Sequence, residues 1–171
     1  MNMNIYMTSG TPEFMESLKD KYGAEGLIAM HGTGNSLLLH ETAGKTVFQT
    51  PRRYEVISSS GTLQDKGYFV FNNIPVTDEG RPVFEHRFTE RAGAIDSEPG
   101  FIAFRLLRPL DSDTYIVMTE WSEISYYTRW TNSSSFDKAH SSNRADAGAD
   151  KTLHIFSSAP YVTTYTTKDE I

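Results

Sequence analysis

The order of elements along the chain predicts an α+β fold in which helices pack against an antiparallel sheet. Two observations carry that prediction. Short runs of period-two alternation are joined by tight turns, as antiparallel strands are, and runs of helical period interrupt them. The order strand, helix, two hairpin-linked strands, helix is then read twice, which points to two halves of similar plan.

Asn4 to Thr8 alternates loosely as a strand. Thr11-Pro12 supplies a capping hydroxyl and a first-turn proline for a helix that runs to about Tyr22, with Phe14, Met15 and Leu18 as its apolar stripe and Gly23 as its stop. Leu27 to His31 and Ser36 to Glu41 read as strands around the turn Gly32-Thr33-Gly34-Asn35. Thr46 to Gln49 reads as a further strand and Tyr54 to Ile57 as a second short helix. From Gly61 to Gly67 the composition turns polar and glycine-bearing, the mark of a junction, so residues 1–65 are expected to form one half and 66–171 the other.

The second half repeats the plan. Tyr68 to Val76 is a strand, Glu79 to Ala92 a helix, Phe101 to Leu107 and Thr114 to Trp121 strands around Asp111-Ser112-Asp113, and Glu123 to His140 helical. Tyr161 to Thr167 closes as a strand. Between Ser141 and Lys151 the residues are small and polar, which predicts a loop.

Composition narrows the function. With 38% hydrophobic and 12% aromatic residues the chain builds a core. A net charge of -6 with both signs interspersed argues against nucleic acid and anionic membrane surfaces as partners. No run approaches the ~18 apolar residues of a membrane span, and Met1-Asn2-Met3-Asn4 does not resemble a secretory signal, so a cytoplasmic location is expected. Cysteine is absent, which removes disulfides, thiolate metal sites and thiol nucleophiles. Metal ligation would then fall first to His31, His40, His86, His140 or His154.

Three residues of the second half are candidates for chemistry. Alternation places Asn72 on one face with Tyr68, Val70, Ile74 and Val76, so its amide points into apolar surroundings and needs a partner, either a ligand or nearby backbone. Asn73 is the reserve for that role. Trp130 lies near the end of a helix, where a tryptophan is either core packing or a ring wall. His140 follows Ser134-Ser135-Phe136-Asp137, which reads as a capping box, and is either a surface histidine or a ligand.

Together these residues match a family pattern. Asn72-Asn73-Ile74-Pro75-Val76, Phe84-Glu85-His86-Arg87-Phe88, Arg91-Ala92-Gly93, Glu98-Pro99-Gly100-Phe101, Thr119-Glu120-Trp121 and Trp130 through Phe136-Asp137-Lys138-Ala139-His140 resemble the antibiotic-biosynthesis-monooxygenase domain. More narrowly they resemble the IsdG-type haem-degrading monooxygenases. The runs Thr46 to Pro51, Tyr54 to Ile57 and Tyr161 to Tyr165 resemble their longer HmoB-like subgroup.

The resemblance implies ferredoxin-like sheets of the dimeric α+β barrel type, here as a pseudo-dimer within one monomeric chain. It implies catalytic and cofactor-binding roles for Asn72, Trp130 and His140. His140 is the axial ligand of the haem iron, Asn72 a hydrogen-bond donor on the open face, and Trp130 the residue that presses on the tetrapyrrole. Haem is then substrate and cofactor, degraded to a bilin with O2, with electrons from an external donor or reductase. Arg129 and Lys138 are candidates for the propionates. No dinucleotide fingerprint, nucleophile elbow or phosphate loop is present. Two rival functions follow from the same pattern: a non-enzymatic haem-binding or stress-signalling protein, and a cofactor-free monooxygenase of quinone-like aromatics.

Overall fold

The computed structural model describes residues 2–89, 95–133 and 155–167. Its elements are β1 (Asn4–Gly10), α1 (Pro12–Lys21), β2 (Ile28–His31), β3 (Ser36–Thr42), β4 (Arg52–Gly61), β5 (Tyr68–Pro75), α2 (Arg81–Thr89), β6 (Phe101–Pro109), β7 (Thr114–Trp121), α3 (Ile124–Thr131) and β8 (Tyr161–Thr166). The eight strands close an antiparallel barrel in the order β1-β3-β2-β8-β5-β7-β6-β4.

That order contains the same four-stranded arrangement twice. β4-β1-β3-β2 and β8-β5-β7-β6 each place the fourth, first, third and second strands of a set side by side, so the barrel is a pseudo-dimer made by one chain. The two joints differ. β4 pairs with β6 from Tyr54↔Pro109 to Gly61↔Ala103 around a bulge, whereas the register between β2 and β8 holds His31↔Thr166 alone among the described residues.

Each strand has an inner and an outer face. Ile5, Met7, Leu39, Phe69, Phe71 and Met118 fill the barrel. On the outer side Met15 of α1 packs on Leu27, Ala29 and Leu38, α2 places Phe84 over Ile74 and Tyr115, and α3 lies over Tyr68, Val70 and Trp121. Strands covered on both faces have no polar side, which is why β5 reads as a nearly unbroken apolar run.

Several local expectations need correction. Tyr54 to Ile57 is extended within β4, not helical, because barrel closure requires a strand there to pair both β1 and β6. The first half therefore lacks the second helix of the repeat. Thr46 to Gln49 is not a strand; Val47 and Phe48 instead pack onto the α1 side of the sheet. In α1, Thr11 caps through Oγ1 to the Phe14 amide at 3.2 Å, but Phe14 is exposed and the stripe is Met15, Leu18 and Tyr22. The helix expected to run from Glu123 to His140 stops at Thr131. There Thr131 Oγ1 and Asn132 Nδ2 donate to the Thr128 carbonyl at 2.8 and 3.1 Å, and Ser133 Oγ to that of Trp130 at 2.6 Å, so side chains close off the last turn.

Candidate functional site

The outer face of β5 positions the site. Tyr68 and Val70 belong to the cluster under α3, and Ile74 and Val76 to the cluster under α2. Asn72 stands between them, half-buried, opposite Val117 of β7 and Val162 of β8. Val162 is 55% exposed, so this stretch of the face is open on its β8 side.

The neighbouring asparagine points the other way. Asn73 shares the inner face with Phe69 and Phe71, and its Nδ2 is occupied by the carbonyls of Phe71 and Tyr161, both at 3.2 Å, and by Thr163 Oγ1 at 3.1 Å. The buried amide satisfied by local backbone is therefore Asn73, not Asn72.

Trp130 is half-buried in the last turn of α3 and lies over the fully buried Trp121, ring centroids 5.5 Å apart and tilted by 34°. Tyr127 sits 6.3 Å from Trp130 and 6.0 Å from Tyr68. Trp121 Nε1 donates to Thr119 Oγ1 at 3.0 Å, so the indole beneath Trp130 is anchored by a buried hydroxyl. Burial, aided by Tyr68, pushes the Tyr127 phenol above its usual range and keeps it neutral. Four residues of strand separate Tyr68 from Asn72, about 13 Å along the sheet. Trp130 thus walls the Tyr68 end of the face on which Asn72 is central.

The opposite end is held by charge. Arg108 donates to Glu85 of α2 at 2.5 and 2.8 Å, and the Tyr115 hydroxyl donates to the same carboxylate. The Arg108 guanidinium holds Glu85 below the usual carboxylate range, while burial and Glu85 push Tyr115 up. These bonds pin α2 to the sheet.

His140 and the propionate candidate Lys138 lie outside the described residues, as does His154. Arg129 is exposed and stacks on the Tyr126 ring at 5.5 Å. Of the other histidines, His31 bonds Glu16 at 2.9 Å and Ser36 at 2.7 Å, and His86 is exposed on α2. His40 is buried with Nδ1 3.0 Å from Thr46 Oγ1, and burial lowers its pKa. Among the described residues there is no cluster of three side chains suited to a bare metal ion.

Sequence reasoning passed over the polar groups inside the barrel. Arg105 of β6 is buried and pairs with Glu41 of β3 at 2.6 Å, and Glu120 of β7 is wholly buried. Glu120 is the lone charge of β7 and Arg105 stands between apolar neighbours in β6, the signal by which both were visible.

Residues 67–142 match the family model of antibiotic biosynthesis monooxygenases. This stretch belongs to the antibiotic biosynthesis monooxygenase domain family. The domain runs from the start of β5 past α3 and so contains Asn72, Trp130 and His140. Among curated relatives, a haem-degrading monooxygenase of Listeria monocytogenes is 24% identical over 129 residues, 75% of this chain and 77% of that protein. The signal transduction protein TRAP of Staphylococcus aureus is 27% identical over 141 residues, 82% of this chain and 84% of that one. Among solved structures, a major regulator of staphylococcal pathogenesis superposes with a TM-score of 0.83 at 24% identity, covering 96% of this chain and 98% of the other. A haem-degrading enzyme of L. monocytogenes superposes at 0.69 with 19% identity, covering 96% and 99%. These superpositions extend beyond the monooxygenase domain to both halves of the barrel. No described helix is long and apolar enough to cross a membrane.

Proposed function

We propose that the protein is a haem-degrading monooxygenase that takes haem on the outer face of β5 beside the end of α3, opens it with O2 and electrons from an external reductant, and releases iron and a bilin. The observation that carries this reading is the placement of Asn72. Its amide stands half-buried on an otherwise apolar face, beside an aromatic wall and away from the occupied Asn73.

The described residues fit a tetrapyrrole, which needs a flat apolar bed and few polar groups. Haem supplies the redox chemistry when bound. Trp130, backed by Trp121 and Tyr127, offers the ring a rigid aromatic surface. The Asn72 amide offers a donor farther along the same face, and where bound haem excludes water such a donor is worth about 3 kcal/mol as charge develops. His140 would hold the haem iron, by its correspondence with the family motif. The chain acts as a monomer in this reading, since its first half fills the place of a second subunit in the barrel.

Addition of haem should produce a Soret band, and ascorbate under air should then bleach it while a chelator captures released iron. The relatives named signal transduction protein TRAP favour a second reading, a signalling protein without haem turnover. A Soret band that stays stable under reductant and air would remove the haem-degrading reading, and so would no band at all.

A further inference from the structure

We propose that the segment 62–67 between β4 and β5 is a proton-operated latch on one end of the barrel, with the Glu120 carboxyl as its catch. The neutral carboxyl keeps the segment seated, and its ionisation releases it. This device lies on the inner side of the sheet, opposite to the proposed haem face, and does not depend on that reading.

Glu120 projects inward from β7 between Phe69 of β5 and Ala103 of β6, and it is 0% exposed. Its Oε1 accepts the Gln64 amide at 2.8 Å, whereas its buried Oε2 has no hydrogen-bond partner. Gly67 lies against that orphan oxygen: a Cβ there would stand 2.6 Å from Oε2 and 2.9 Å from the Trp121 carbonyl, so only glycine lets the chain pass. The Gly67 amide is engaged by Thr167 Oγ1 at 3.2 Å and does not serve the carboxyl.

The charged groups acting on Glu120 are Asp65 of the segment and Arg105 of β6. Arg105 is committed elsewhere, with Nε and Nη2 on Glu41 and Nη1 on the carbonyls of Ser60, Gly61 and Phe104. An ionised Glu120, 0% exposed, would thus have one backbone donor, a repelling Asp65 and only the pull of an Arg105 already paired with Glu41. Burial first, and Asp65 with it, pushes the carboxyl up to about 8. Once charged, the group is relieved by lifting the segment so that water reaches Oε2.

Lifting also changes an adjacent space. Leu63, Gln64 and Asp65 form one wall of a cavity of about 520 Å³ whose other wall is Lys19 and Asp20 of α1 with Gly26 and Leu27. Release of the latch opens that cavity toward the barrel interior, where Leu63 packs against the core.

The test is backbone amide hydrogen exchange at Gln64 to Gly67 in the full chain, from about pH 6 to about pH 9, referenced to intrinsic rates. Protection should fall at least about tenfold with a midpoint near 8, and Glu120→Gln, which cannot ionise, should stay protected throughout. Asp65→Asn alters only an exposed side chain and should move the midpoint to lower pH, which keeps the test decisive if Glu120→Gln fails to fold. Flat protection in the wild type, the same transition in Glu120→Gln, or an unmoved midpoint in Asp65→Asn would overturn the latch.

Discussion

Two adjacent asparagines on one strand have opposite environments, and that difference is measurable. Asn73→Ala leaves the Tyr161 carbonyl and Thr163 hydroxyl without their donor and should cost about 1–3 kcal/mol in denaturant unfolding. Asn72→Ala should leave stability within about 0.5 kcal/mol yet slow haem turnover by about a hundredfold or more, with the Soret band retained. An Asn73→Ala protein of wild-type stability would contradict the inner placement. His140→Ala should alter the Soret spectrum and abolish turnover; an unchanged spectrum would move the ligand role to another side chain. Alternation alone separates the two amides onto two faces, but which face is barrel interior and which lies under helices depends on strands far away in sequence.

At the scale of elements, α3 is set on the sheet by aromatic contacts that centre on the buried Trp121. Gly100 has φ 77, and a Cβ there would stand 2.1 Å from the Tyr126 ring, so this loop is where α3 is set down on the sheet. Gly100→Ala should therefore displace α3 and carry Trp130 off its bed, read as a shifted tryptophan emission and weakened haem binding. Retained emission and haem affinity would show that α3 docks independently of this contact. The helix and the apolar strands were legible because local period and capping decide them. β4 was not, because its pairing with β1 and β6 outweighs its local preference. The end of α3 at Thr131 was hidden too, since the serine, threonine and asparagine run after Trp130 closes the helix through side chains instead of continuing it.

Over the whole molecule, opposing sets of carboxyls shape stability against pH. Glu120 is raised from its ordinary 4.5 to about 8, so its contribution is fully present below 4.5 and is lost as pH rises through about 8. Glu85, Asp111 and Asp113 are lowered by Arg108, Arg53 and Ser157, so theirs is present above the ordinary carboxylate range and lost as pH falls through the lowered values. Unfolding midpoints should accordingly form a dome, its alkaline limb falling by at most about 1.4 kcal/mol per pH unit and flattening in Glu120→Gln. An alkaline limb of equal slope in the variant would place its origin elsewhere. Light scattering should give a monomer, since each sheet of the barrel already faces a counterpart within the chain.

Local sequence by itself determined the strands of the second half, the face shared by Asn72 with Tyr68 and Ile74, and, through residue motifs, the monooxygenase domain. Those features depend on neighbours within a few residues, so composition and period carry them. Tertiary structure alone decided that β4 completes the barrel, that the Asn73 amide is held by Phe71, Tyr161 and Thr163, and that Arg105 and Glu120 lie inside. Closure of the barrel brings residues more than fifty positions apart into register, as in Gln64 with Glu120, and no local pattern encodes that pairing.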